Sequence, residues 1–172
     1  MAIVKPNNNT ISAITSLPAA ISTGKVLQVQ SVEKTDTFST TSTSFVDVTG
    51  LSVSITPSAT SSKILVATTA SISCSTSING AWIRLLRDST VIFKGDASGS
   101  NVLALRHARV TATDEVYPYG GTMIDSPSTT SAVTYKVQLV SHIGNASTLN
   151  MSGTGTGEIR TASGIIAMEI KG

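Results

Sequence analysis

Cysteine is almost absent from this sequence: Cys74 stands alone. No intrachain disulfide can therefore form, and the redox compartment is not legible. A single cysteine of this kind reads as a small buried hydrophobe. Charge is scarce too. Charged residues are 13% of the 172, about half the usual quarter, and they balance to a net charge of +2. So weak a field does not draw a chain to nucleic acid. Aromatic residues are 4%, with a single Trp. No apolar run approaches the roughly 18–20 residues that a membrane-spanning helix needs. The opening residues, Met1-Ala2-Ile3-Val4-Lys5-Pro6, carry no long apolar core behind a basic start, so a secretory signal is not expected. Neither nucleic acid nor membrane is an expected partner.

Hydroxyl groups take the place of charge. Roughly three residues in ten are Ser or Thr, which suit turns and pleated surfaces. Hydrophobic residues make up 40%, and the length suits one ordinary domain with a sizeable core. The Ala, Leu, Glu and Lys that fill exposed helices are few. This composition predicts β structure under a neutral, hydroxyl-rich surface.

Two regions follow from the punctuation. Residues 1–24 form an N-terminal arm, broken at Pro6-Asn7-Asn8-Asn9-Thr10 and at Leu17-Pro18-Ala19-Ala20, with spaced apolar anchors and no large apolar face. Such a segment docks onto something else. Extended, it would span roughly 80 Å. Residues 25–172 read as strands and turns. Val26–Val32 and Thr43–Val48 are β-rich, and after Gly50 the run Leu51-Ser52-Val53-Ser54-Ile55 alternates strictly. Beyond a turn at 57–62, Ile64, Val66, Thr68, Ala70, Ile72 and Cys74 share one face of a long strand.

Ala81–Arg87 and Val91–Lys94, joined at Asp88-Ser89-Thr90, predict a hairpin. A strand is expected over Val102–Val110, and a turn at Asp125-Ser126-Pro127-Ser128. Val133, Tyr135, Val137 and Leu139 oppose Thr134, Lys136 and Gln138 in the clearest alternation. Glu158–Thr161 and Gly164–Ile170 are the last two expected strands. Eight to ten strands with no convincing helix predict an all-β sandwich of two antiparallel sheets.

Gly153-Thr154-Gly155-Thr156-Gly157 leads into a strand, not into the helix that a phosphate loop requires, and reads as a loop. Asp96, Ser98 and Ser100 are spaced like calcium ligands, but Asn101 and His107 occupy the positions that need Gly and Glu. His107 and His142 have no zinc-ligand spacing. Ser141-His142 with Asp125, or the adjacent Asp114-Glu115, could be conscripted for catalysis. There is no nucleophile elbow, however, and neighbours on a strand point to opposite faces. No catalytic residue, metal or cofactor is expected. Arg84, Arg87, Lys94, Arg106 and Arg109 form a mildly basic stretch that reads as a solvated face.

Three stretches carry a family resemblance. They are Lys5-Pro6-Asn7-Asn8-Asn9-Thr10 through Gly24-Lys25-Val26-Leu27-Gln28-Val29; Leu51 to Leu65 with its Thr56-Pro57-Ser58 turn; and Arg84-Leu85-Leu86-Arg87-Asp88 through Gly95-Asp96, with Asp125-Ser126-Pro127 and Tyr135-Lys136-Val137-Gln138 downstream. Together these resemble small virion structural proteins of aquatic tailed phages, including cyanophages. The resemblance implies a jelly-roll sandwich, similar to the tumour-necrosis-factor-like fold, assembled as a homotrimer on the virion. With the short chain and an arm suited to threading across a surface, the leading expectation within that group is a capsid decoration (cement) protein that grips the major capsid protein, or another virion protein, through its arm. Ile3, Val4, Ile11, Ile14 and Leu17 would then be the coat-attachment residues. The alternative is the receptor- or glycan-binding head of a fibre or tail.

Overall fold

The computed structural model describes residues 25–76, 80–109, 115–152 and 159–172. Within them the chain is all β. Eleven strands run in order: β1 (Val26–Lys34), β2 (Phe38–Thr40), β3 (Val46–Ile55), β4 (Lys63–Cys74), β5 (Gly80–Arg87), β6 (Thr90–Ile92), β7 (Arg106–Arg109), β8 (Tyr117–Asp125), β9 (Val133–Ser141), β10 (Ser147–Leu149) and β11 (Ser163–Ile170).

These strands make two antiparallel sheets of four lanes each. In the first sheet β4 is central, with β8 on one side and both β11 and β10 on the other. β1 flanks β11, and β2 flanks β10. In the second, β3 pairs β9 and β9 pairs β5. The far side of β5 is shared by β7 and β6. The first strand thus lies beside the last, and every lane is crossed by a connection to the other sheet. That is a jelly roll.

The alternating strands supply the core. Ile64, Val66, Ala70, Ile72 and Cys74 are all wholly buried on one face of β4. Tyr135, Val137 and Leu139 on β9 face them from the second sheet. The two layers are also tied at one end. Asp125 on β8 accepts at both its oxygens from Arg87 Nη1 of β5, at 2.9 and 2.7 Å, and also a hydrogen bond from the Tyr135 hydroxyl at 2.7 Å. Burial, with Asp125 alongside, pushes the Tyr135 phenol far above its usual range.

Several boundaries differ from the sequence expectation. Gly50 does not separate two strands; it sits in a bulge inside β3, where the register shifts between Asp47 and Ser52. Its φ of +82° is the left-handed conformation that glycine adopts without strain. β8 escapes the pattern because Pro118, Gly120 and Gly121 read as breakers. As an edge strand paired only to β4 it tolerates the proline. Gly120 is required there, since a Cβ would lie 1.9 Å from the Thr68 carbonyl oxygen. The strand expected over Val102–Val110 shrinks to Arg106–Arg109, with Val102 to Leu105 in a loop. The expected strand at Glu158–Thr161 reduces, within the described residues, to a single bridge between Met151 and Arg160. The hairpin forms as expected, closing at Arg87 opposite Thr90.

Candidate interaction surfaces

The interior uses one face of each sheet, so function falls to the two outer faces. Register lets the outer face of the first sheet be read rung by rung. Val29, Met168, Leu65 and Ile124 lie side by side across β1, β11, β4 and β8. The next rung is Ser31, Ile166, Ala67 and Thr122, and the one after it is Glu33, Gly164, Thr69 and Gly120. On the other side of the first rung, Val26 sits opposite Ile170. Much of this face is apolar and open: Val26 is 53% exposed, Val29 51% and Ile124 63%. Where Gly164 presents no side chain, the face dips into a hollow of about 260 Å3 beside Ile166 and Ala67.

The outer face of the second sheet is built for water. Asp47 accepts from Lys136 at 2.8 Å and from Gln138, while Gln138 in turn accepts from Arg84 at 2.7 Å. Those hydrogen bonds, with Lys136 foremost, hold the Asp47 carboxyl below its usual range. Ser54 and Thr134 share a hydroxyl hydrogen bond on the same side, and the Arg84 guanidinium lies 4.0 Å over the Phe45 ring. The contrast between the two faces is chemical, not geometric. The first centres on an apolar rung, and the second on a network of charge and hydroxyl.

Beyond that polar network the second face carries Trp82. Its ring is braced by His142, edge-on at a centroid distance of 4.7 Å, and by His107 at 5.9 Å. An open groove of about 340 Å3 runs from Trp82 and His107 past Asp96 and Asn101. A second hollow of about 230 Å3 beside it is lined by Phe93 and Lys94, and both share Gly95, Ala104 and Leu105.

No protein-family model matches the sequence, and no curated protein matches it. Solved structures do. A T=1 particle derived from infectious bursal virus aligns at 12% identity with a TM-score of 0.46, covering 84% of this chain and 36% of its own. A mutant VP2 protein of infectious bursal disease virus, also as T=1 particles, gives 12%, 0.44, 83% and 36%. The Gx strain of that virus gives 19%, 0.41, 84% and 32%. The chain therefore spans about a third of the length of these chains.

The residues singled out from sequence fare unevenly. Ile3, Val4, Ile11, Ile14 and Leu17 lie outside the described residues, as do Asp114 and the glycine-rich run at 153–157. Ser141 and Asp125 are not brought together. Ser141 pairs with Ala81 at one end of β5, whereas Asp125 binds Arg87 at the other; six residues of strand between them span roughly 20 Å. The buried Ser141 hydroxyl donates to the Asn145 carbonyl at 2.6 Å. The basic stretch disperses: Arg84 stays on the outer face, Arg87 bridges the sheets, and Arg106 donates to the Gly120 carbonyl.

The outward apolar rungs escaped the sequence reading, although a signal was available. β11 is apolar in both phases, with Ile165 and Ala167 inward and Ile166, Met168 and Ile170 outward. That is the pattern of a strand covered on both sides.

Proposed function

We propose that this protein is a structural component of a tailed-phage virion. In this reading it is a trimeric decoration protein of the head surface with a structural rather than a catalytic role. One observation carries the assembly: the apolar outer face of the first sheet. Four lanes by three rungs cover on the order of 400 Å2 at normal strand and residue spacings. That is about half of the ~800 Å2 per partner in a standard interface, with an apolar centre at Val29, Met168, Leu65, Ile124, Ile166 and Ala67 and polar Ser31, Thr122, Glu33 and Thr69 around it. The face is close to neutral, with Glu33 and Lys63 at its margins. Such a surface suits another copy of itself better than a charged partner. The threefold arrangement comes from the family resemblance, and closed symmetry would satisfy every copy equally.

Light scattering at micromolar concentration should give three times the 17.7 kDa chain mass. Met168→Glu, in the middle of the first rung, should drop the mass to one copy and leave the circular dichroism spectrum unchanged. A wild-type monomer would refute the assembly.

Attachment to the coat is assigned to residues 1–24. Ordering a free arm costs about 1–2 kcal/mol per residue in backbone entropy, so its apolar anchors must find pockets or strand edges on the particle. Changing Ile3, Val4, Ile11, Ile14 and Leu17 to Ser in the full chain should weaken co-sedimentation with particles stripped of their own copy. The melting temperature of the free protein should stay nearly constant. Undiminished co-sedimentation would move attachment to the jelly roll itself.

A further inference from the structure

The Trp82 groove lies on the side of the sandwich opposite the proposed assembly face, because the two sheets pack with their inner faces together. Assembly through the first sheet would therefore leave the groove open. Three features set it apart from an ordinary surface dip. Trp82 is the sole tryptophan of the chain, half-buried, with its ring held by His107 and His142. Phe93, in the adjoining hollow, is 54% exposed and has a φ of +49°. A bulky residue in the left-handed region is strained, by about 1–2 kcal/mol, and here the strain presents an aromatic ring to solvent. Between the rings, the side chains of Asp96 and Asn101 make no hydrogen bond within the described residues.

We propose that this groove binds a carbohydrate chain, an oligosaccharide of a few pyranose units. A pyranose has a face of C–H groups and a rim of hydroxyls. The C–H face stacks on a flat, preset aromatic ring, burying apolar area without ordering a flexible side chain. The hydroxyl rim needs donors and acceptors that are not already engaged. The Asp96 carboxylate accepts, the Asn101 amide does both, and the Lys94 ammonium donates. Two rings in two adjoining hollows, which share Gly95, Ala104 and Leu105, suit at least two successive sugar units. A nucleic acid strand would need a run of basic residues tracking its phosphates, and here Arg106 and Lys94 are offset by Asp96 between them. Enclosed apolar pockets suit drug-like ligands, but this one is open and mixes Val102, Leu103 and Ala104 with Asp96, Asn101 and Arg106.

The single tryptophan makes the site report on itself. Maltotetraose, cellotetraose, chitotetraose and tetragalacturonate would each be titrated into the full-length protein while indole emission is followed. At least one should produce a saturable change, with a Kd in the millimolar range or tighter. Phe93→Ala and Asp96→Ala both retain Trp82. Each should weaken that binding at least about tenfold, the equivalent of ~1.4 kcal/mol. Calorimetry with Trp82→Ala should show no binding. No saturable change with any of the four sugars up to about 10 mM, a Kd range far weaker than useful recognition, would overturn the proposal. So would unchanged affinity in the Phe93 and Asp96 variants. The readout does not depend on oligomeric state: a wild-type monomer that still binds sugar would refute the assembly and leave this site standing.

Discussion

Val137→Asp is expected to abolish folding. Val137 is 1% exposed, on a central strand paired on both sides, between Tyr135 and Leu139 on the inward face. A carboxylate there would find no donor among the apolar residues that surround it. Burying it unpaired, or protonating it to avoid that, costs several kcal/mol, which is comparable to the ~5–15 kcal/mol stability of a whole domain. The variant should lack a cooperative melting transition and dispersed amide resonances. Its neighbour gives the control. Lys136→Asp, one residue along and on the outer face, trades the partly exposed ion pair with Asp47 for a solvent-screened carboxylate repulsion, a loss of about 1–2 kcal/mol. A Val137→Asp variant that melted normally beside an unfolded Lys136→Asp would show that the assigned faces of β9 are reversed.

Glu169→Gln should be strongly destabilising and should also flatten the acid dependence of stability. Glu169 is wholly buried on the inward side of β11. Its Oε1 accepts from the Ser58 backbone N–H at 2.7 Å and from the Ser58 and Ser62 hydroxyls at 2.6 Å each, and its Oε2 accepts from Gln28 at 2.6 Å. Burial alone would push the carboxyl up. The hydroxyls of Ser58 and Ser62, the Gln28 amide and the Ser58 N–H outweigh it and bring the pKa down to about 2 from 4.5.

One carboxylate therefore pins the β3–β4 turn to β1 and β11. An amide can accept through only one of its two atoms, so the change leaves donors facing a donor, at a cost of about 2–4 kcal/mol. Because the folded pKa is depressed, this contribution is fully present above about pH 4.5 and is lost as the pH falls through about 2. Wild-type melting temperature should decline across that window. Glu169→Gln should start lower at neutral pH and decline less. Parallel curves for the two proteins would show that Glu169 does not hold the turn.

How much of this was legible depended on whether a strand's pattern is set locally. β4 and β9 alternate because each buries one face, and their inward residues were named correctly from spacing alone. The Asp88-Ser89 turn was legible too, and Asp88 does adopt a positive φ of 53° there. β2 and β10 were not legible. Each is three residues long and rich in hydroxyls, and becomes a strand only by extending the lanes begun by β1 and β11. The Trp82 groove was equally hidden. Trp82, Asp96, Asn101 and His107 are scattered over 26 positions of sequence, and a hairpin and a loop bring them side by side.

The amino-acid sequence by itself determined that the domain is built of strands, which faces of its long strands are apolar, and where the tight hairpin turns. These are properties of periods of two and of turn residues, and they act between near neighbours. Only the tertiary structure decided which strands share a sheet, since the pairing of β1 with β11 joins residues more than a hundred positions apart. It also decided that Met168, Leu65, Val29 and Ile124 form one outward rung, and that a lone Glu169 has four donors around it. Register and long-range hydrogen bonds depend on the simultaneous position of several strands, and no local pattern encodes them.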